Sequence, residues 1–232
     1  KMLLGGKGAN LCEMTQIGLN VPPGFAVTTE ACLAYLEKNQ LPEGLMDGIK
    51  SHMKALEKKT GKGFGSADNP LLVSVRSGSA MSMPGMMDTI LNLGLNEVSL
   101  KGLIKLTANA RFAWDAYRRF IQLFGKIALG IADEAFDEKM HAVKKKYGAL
   151  QDVDLSAEHL QELAGEFFSI VQRHTGKPFP ADPYEQLEIA VGAVFRSWMG
   201  KRAVDYRKQF RITREMANGT AVNVCTMVFG NM

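Results

Sequence analysis

A chain of 232 residues, 46% hydrophobic and 22% charged, has room for a buried core and divides into one or two domains. Its formal charge of +4 is scattered, with Lys144-Lys145-Lys146-Tyr147 the only dense basic run, which argues against a nucleic-acid surface. The three cysteines, Cys12, Cys32 and Cys225, form no C-x-x-C pair and read as reduced thiols of an intracellular protein; no stretch nears the roughly 20 apolar residues of a membrane span, and no signal peptide is visible.

The chain opens with Leu3-Leu4 and Gly5-Gly6-Lys7-Gly8, followed by a helical run that places Leu11, Met14, Thr15 and Ile17 on one side and stops at Gly18. Glycines before a helix start leave N–H groups free at the positive end of the dipole, and Lys7 adds a point charge, an arrangement that suits a phosphate. The pattern is not the G-x-x-x-x-G-K-[ST] loop, and a plain flexible turn is the alternative. Val21-Pro22-Pro23-Gly24 reads as a turn and Phe25-Ala26-Val27 as a strand, after which Thr28 or Thr29 caps a helix through Leu36. Pro42 to Thr60 is a second helical pattern with Leu45, Ile49, Met53 and Leu56 at core spacing, and 61–70 is a polar connector.

The stretch from Leu71 to Leu95 organises the rest. Leu71, Leu72, Val73 and Val75 suit a buried strand that Arg76 closes. A loop with Gly78, Pro84 and Gly85 among serines and methionines then leads through Asp88 to a second strand, Thr89 to Leu95. Glycines that admit a ligand to the backbone, beside an arginine able to form paired hydrogen bonds, suit an anion such as phosphate. A hairpin whose methionines only fill the core is the other reading.

From Ser99 the pattern is almost unbroken helix. The spacing predicts helices near 109–129, 133–147 and 156–174, the last opening at Ser156 as N-cap. The first carries Phe112, Tyr117, Phe120, Ile121 and Phe124 on its apolar side, with Arg111, Asp115, Arg118 and Arg119 interleaved; such cations usually form a solvated face or pair with a carboxylate. His52, His141, His159 and His174 have no metal-ligand partners in the pattern and read as surface or structural residues. Lys177-Pro178-Phe179-Pro180 breaks the run, and helices from Asp182 to Trp198 and through Phe210 follow, rich in arginine. A final strand, 220–229, is expected to join the opening sheet.

The run RSGSAMSMPGMMDTILNLGL, 76–95, with LLVSVRSG leading into it, resembles the signature of the pyruvate phosphate dikinase family in its N-terminal nucleotide-binding domain. GGKGANLCEM, VPPGFAVTTEAC, RFAWDAYRRFIQ, AVFRSW and GTAVNVCTMVFGN extend the resemblance over essentially the whole chain. It implies an α+β fold, the N-terminal lobe of an ATP-grasp-type domain, formed by residues 1–95 and 181–232 with an inserted helical subdomain over 96–180. It further implies that Lys7 is an ATP ligand and that Arg76 and Arg119 act at the phosphate end of the site. Gly85, Met86 and Asp88 would belong to a loop that closes over the triphosphate. One departure stands inside the signature: family members commonly carry a second basic residue shortly after RSG, where this chain has Ser79-Ala80-Met81.

By that resemblance the whole enzyme interconverts ATP, phosphate and pyruvate with AMP, pyrophosphate and phosphoenolpyruvate through a histidine on a mobile domain. The sequence shows no E-x-E strand, phosphohistidine motif or pyruvate-binding barrel. The chain opens mid-domain and stops three residues after a strand, so it reads as a fragment, inactive alone and weak toward MgATP, with Mg²⁺ ligands expected outside it and no metal site within. The expected partners are ATP or AMP, phosphate and the phosphohistidine domain of the same protein, in a full-length homodimer, with neither nucleic acid nor membrane. A cytoplasmic location, or an organelle such as glycosome or plastid, fits equally. A related dikinase such as phosphoenolpyruvate synthase or a glucan-water dikinase, or a non-catalytic binding or regulatory module, are the competing readings.

Overall fold

The computed structural model describes residues 1–230. A four-stranded antiparallel sheet is formed by β1 (Gly24–Val27), β4 (Val73–Gly78), β5 (Thr89–Leu93) and β6 (Ala221–Thr226), in the order β1-β6-β4-β5. The last strand in sequence therefore joins the sheet, as the apolar run 220–229 suggested, and takes an interior position, ending at Thr226. Its Val224 lies between Phe25 and Val75, and its Asn223 between Ala26 and Arg76.

Alternation gives the sheet two unlike faces. Val73, Val75, Val222, Val224 and Ile90 are fully buried, and α8 (Pro183–Ser197) packs on these strands with Ala190, Val191 and Phe195 sealed from solvent. Ser74, Arg76, Asn223 and Cys225 share the other face, since Ser74 registers with Cys225 and Arg76 with Asn223. That polar face is covered in part by α1 (Gly5–Gln16).

Here the structure corrects two sequence expectations. Arg76 lies within β4, not at its end, because pairing with β6 extends the ladder through Ser77 and Gly78. The buried positions of α1 are Gly5 and Gly8, while Ile17 is 74% exposed, so the helix docks by its glycines. A Cβ on Gly5 (φ +69°) would overlap the Gly78 carbonyl, and one on Gly8 would lie 2.8 Å from Asn223 Oδ1. A Cβ on Gly78 would in turn lie 2.6 Å from Asn223 Nδ2, so glycine is needed at each of these three positions.

The remaining helices frame this sheet. At α2 (Thr29–Lys38) no side-chain cap forms; the Thr29 hydroxyl donates to the Met2 carbonyl instead, tying down the first residues. α3 (Leu45–Thr60) starts three residues later than the pattern suggested, after Gly44 turns at φ +73°, and buries Ile49, Met53 and Leu56. The expected connector 61–70 contains β2 (Gly63–Phe64), paired in parallel with β3 (Pro70–Leu71). α4 (Glu97–Thr107) begins earlier than Ser99 because Asn96 caps it, accepting from the Val98 and Ser99 N–H groups.

α5 (Ala110–Ile127), α6 (Asp133–Tyr147) and α7 (Ala157–Thr175) form a bundle around aromatic rings. Phe136 meets Phe167 edge-on at 5.0 Å, and Phe179 lies 5.2 Å from Phe124 and 5.6 Å from Phe120. Ser156 caps α7 as its position predicted. α5 also packs on β5, so one apolar cluster runs from the sheet into the bundle. A short α9 (Lys201–Gln209) follows α8 on the surface.

Candidate functional site

Two glycine-rich segments meet at the polar face. The Gly6 N–H donates to the Ser79 carbonyl at 2.8 Å, locking the first turn of α1 to the start of the β4–β5 loop. One of the amides that sequence reasoning left open for a phosphate is thus taken by protein. The contact sets Lys7 at the mouth of a cavity of about 720 Å³, walled by Gly6, Lys7 and Asn10 on one side and by Ser79 to Gly85, Met87 and Thr89 on the other.

Arg76 stands on the same face, half-buried, its Nε donating to Ser74 Oγ at 3.1 Å. Crowding by protein atoms and, after it, the Arg76 charge hold the Lys7 ammonium below the ordinary lysine pKa. Two cations close enough to repel each other favour an anion between or over them. Burial pushes the Cys225 thiol up despite the nearby Arg76 and Lys7 charges, which favours the neutral thiol. Asn223, 1% exposed, sits beneath them with its Nδ2 buried and without a hydrogen-bond partner. Sequence reasoning missed it, although an asparagine inside the apolar run AVNVC is a visible local anomaly.

The β4–β5 loop is fixed at intervals. Met83 is buried as an apolar anchor, the Met86 N–H closes a turn on the Met83 carbonyl, and Gly85 adopts φ +72°. Gly85 lines the cavity with Lys7. Met86 packs against the core instead, and Asp88 is held by Arg202 of α9, 2.8 Å away. In the sequence Arg202 belongs to an arginine-rich helical segment that reads as a surface helix with a salt bridge, and its partner was not identified.

Arg119 stands elsewhere. It lines a second cavity, of about 610 Å³, with Leu91, Asn92, Asp115, Arg118, Lys126, Asp133 and Asp152. β5 links the two spaces, Thr89 facing the first and Leu91 and Asn92 the second. Of the adjacent arginines, Arg118 is 4% exposed and committed to structure, reaching Asp115 Oδ1 at 2.8 Å and Asp152 Oδ2 at 2.7 Å. Arg119 keeps a largely exposed guanidinium, with Nε 3.0 Å from Asp115 Oδ2. Lys7 and Gly85 therefore share one cavity, Arg76 adjoins Lys7, and Arg119 serves a separate opening.

Among the described residues no group of three or more His, Cys, Asp or Glu side chains is placed to hold a metal ion. Among the described residues, too, no helix is long and apolar enough to cross a membrane.

The family model described as "Pyruvate phosphate dikinase, AMP/ATP-binding domain" matches residues 1–60 and 37–232. The chain is 59% identical to the pyruvate, phosphate dikinase of Entamoeba histolytica, with all of the chain and 26% of that protein aligned. It is 51% identical to the Giardia intestinalis protein of the same name, again over all of this chain and 26% of the relative. For the Rhizobium meliloti protein the identity is 50%, over 99% of this chain and 25% of the relative. The chain spans about a quarter of the length of the curated relatives it matches.

Proposed function

Because the chain belongs to the pyruvate phosphate dikinase AMP/ATP-binding family, we propose that the polar face of its sheet holds the phosphate end of ATP, with Lys7 and Arg76 as the anion contacts. The observation that carries this is their placement: one charged group from the first turn of α1 and one from mid-β4, on one face, beside a cavity roofed by the 79–87 loop. Phosphoryl transfer asks little covalent chemistry of a protein; it asks for alignment and for charge neutralisation at the transferring oxygens. A lysine and a guanidinium fixed by secondary structure supply both without reorganising. The loop, with Gly85 and Met87 on the cavity side, excludes water. Arg119, across β5, reaches the outer phosphate or an inorganic phosphate from the second cavity.

In the whole protein this site would start the conversion of ATP, phosphate and pyruvate to AMP, pyrophosphate and phosphoenolpyruvate, the first group passing to a histidine elsewhere in the chain. Magnesium accompanies ATP in this chemistry, neutralising its phosphate charge. The residues lining the first cavity, Lys1, Lys7 and several hydroxyls, with the Arg76 charge close to Lys7, fit the phosphates and not the ion. The same reading keeps residues 1–95 and 181–232 as the nucleotide lobe and 96–180 as a helical insertion.

Calorimetric titration of the full natural chain with MgATP tests the assignment. Lys7→Ala and Arg76→Ala are each expected to weaken binding about 10- to 100-fold, the scale of losing a charge-assisted hydrogen bond. Unchanged affinity in both variants, with the fold intact by circular dichroism, overturns it.

A further inference from the structure

We propose that Arg202 is a positioning residue for the Lys7 cavity, latching the 83–88 segment to α9 and so shaping the wall against which the phosphates lie. The inference rests on reading that cavity as the anion site.

Arg202 Nη2 is 2.8 Å from Asp88 Oδ1, and its Nη1 donates to the Gly85 carbonyl at 3.4 Å. One guanidinium thus grips both the tip of the loop and the point where it enters β5. The loop is anchored independently at Ser79, through the Gly6 N–H, and at Met83, through burial. Beyond Met83, the polar contacts of residues 84–88 to anything outside the loop go, among the described residues, to Arg202 alone.

Arg202 has a firm base. Its neighbour Ala203 is fully buried, and Arg207 donates to the Trp198 carbonyl at 2.8 Å while lying 3.9 Å over the Trp198 ring, which seats α9 on the end of α8. The latch itself is accessible: the Arg202 side chain is 61% exposed and that of Asp88 30%. An ion pair at that exposure is weak enough to open for ligand entry and strong enough to bias the loop. Holding the loop in advance reduces the ordering cost when an anion binds.

The test uses the full natural chain, MgATP titration and hydrogen exchange of the 82–87 amides, on Arg202→Gln, Asp88→Asn and the double variant, with Lys7→Ala alongside. Each single latch variant is expected to bind MgATP about two- to fivefold more weakly and to exchange faster over 82–87, with the double no worse than either single. Thermal midpoints should stay together, which a general loss of structure would not allow. If Lys7→Ala abolishes binding while Arg202→Gln changes neither affinity nor exchange, the latch is wrong and the anion site stands. If Asp88→Asn binds as well as the parent while Arg202→Gln is weakened, Arg202 acts as a charge and positioning is overturned. If Lys7→Ala binds normally, the site reading fails and the latch falls with it. Should Arg202→Gln not fold, Asp88→Ala removes the Asp88 contact from the loop side and decides the matter.

Discussion

The bundle of α5, α6 and α7 and the polar face of the sheet are built by opposite means. The bundle is closed by large rings: Phe120, Phe124, Phe136 and Phe167 are all fully buried and meet in edge-on pairs. The polar face is closed by glycines, Gly5 against Gly78 and Gly8 against Asn223, and leaves Lys7 and several hydroxyls around a cavity, with an unpartnered asparagine amide on the same face. Large rings bury much apolar area per residue and contribute stability. Glycine contacts contribute little burial but bring backbone and charge to a fixed point, which is what a site needs. One region is organised for holding and the other for presenting.

The comparison breaks most visibly if a bundle residue proves essential to nucleotide binding. Phe136→Ala removes a ring with no solvent exposure, packed against Phe167 and Gly125, and is expected to lower stability by about 3–5 kcal/mol. Urea unfolding measures this, and the MgATP affinity of the protein that stays folded should remain within about twofold of the parent. A parallel loss of affinity would mean that the shared apolar cluster couples the regions too tightly to separate.

Gly5→Ala sharpens the same contrast from the other side. The left-handed backbone costs a non-glycine residue about 1–2 kcal/mol, and the new Cβ must also push α1 away from Gly78. Unfolding should show a smaller loss than for Phe136→Ala, whereas MgATP binding should suffer more, since Lys7 moves with the helix. The opposite ranking in the two assays would refute the division of labour.

What was legible in the sequence follows this boundary. Bundle helices declare themselves locally, through Ser156 as a cap and the apolar spacing of α5 and α7. The α+β class and the joining of the last strand to the sheet were also readable, from apolar runs between breakers. The polar face was less so, because its geometry is set by distant chain. Arg76 lies mid-strand because β6, nearly 150 residues on, pairs past it to Gly78. The facing of α1 inverted because docking on Gly78 outweighs a few scattered apolar side chains. Arg202 and Asp88 are 114 residues apart, with nothing local to pair them. Arg118, by contrast, was recoverable: it falls on the helical stripe of Ile121 and Gly125, both buried.

The smallest expected effect is also the most specific to the presenting region. The Lys7 ammonium is held below the ordinary value of 10.5, first by crowding and then by Arg76, so it loses its proton at a lower pH than a free lysine would. A bound phosphate favours the charged lysine, and affinity is therefore full while Lys7 is protonated and declines as pH rises through its lowered pKa. Titration with MgATP between pH 7 and about pH 10 should show affinity falling earlier than a lysine of ordinary pKa predicts, and Lys7→Arg should flatten the profile. A bundle variant such as Phe136→Ala has no reason to alter it. An unchanged slope in Lys7→Arg would place the titrating group elsewhere and remove Lys7 from the phosphate contacts.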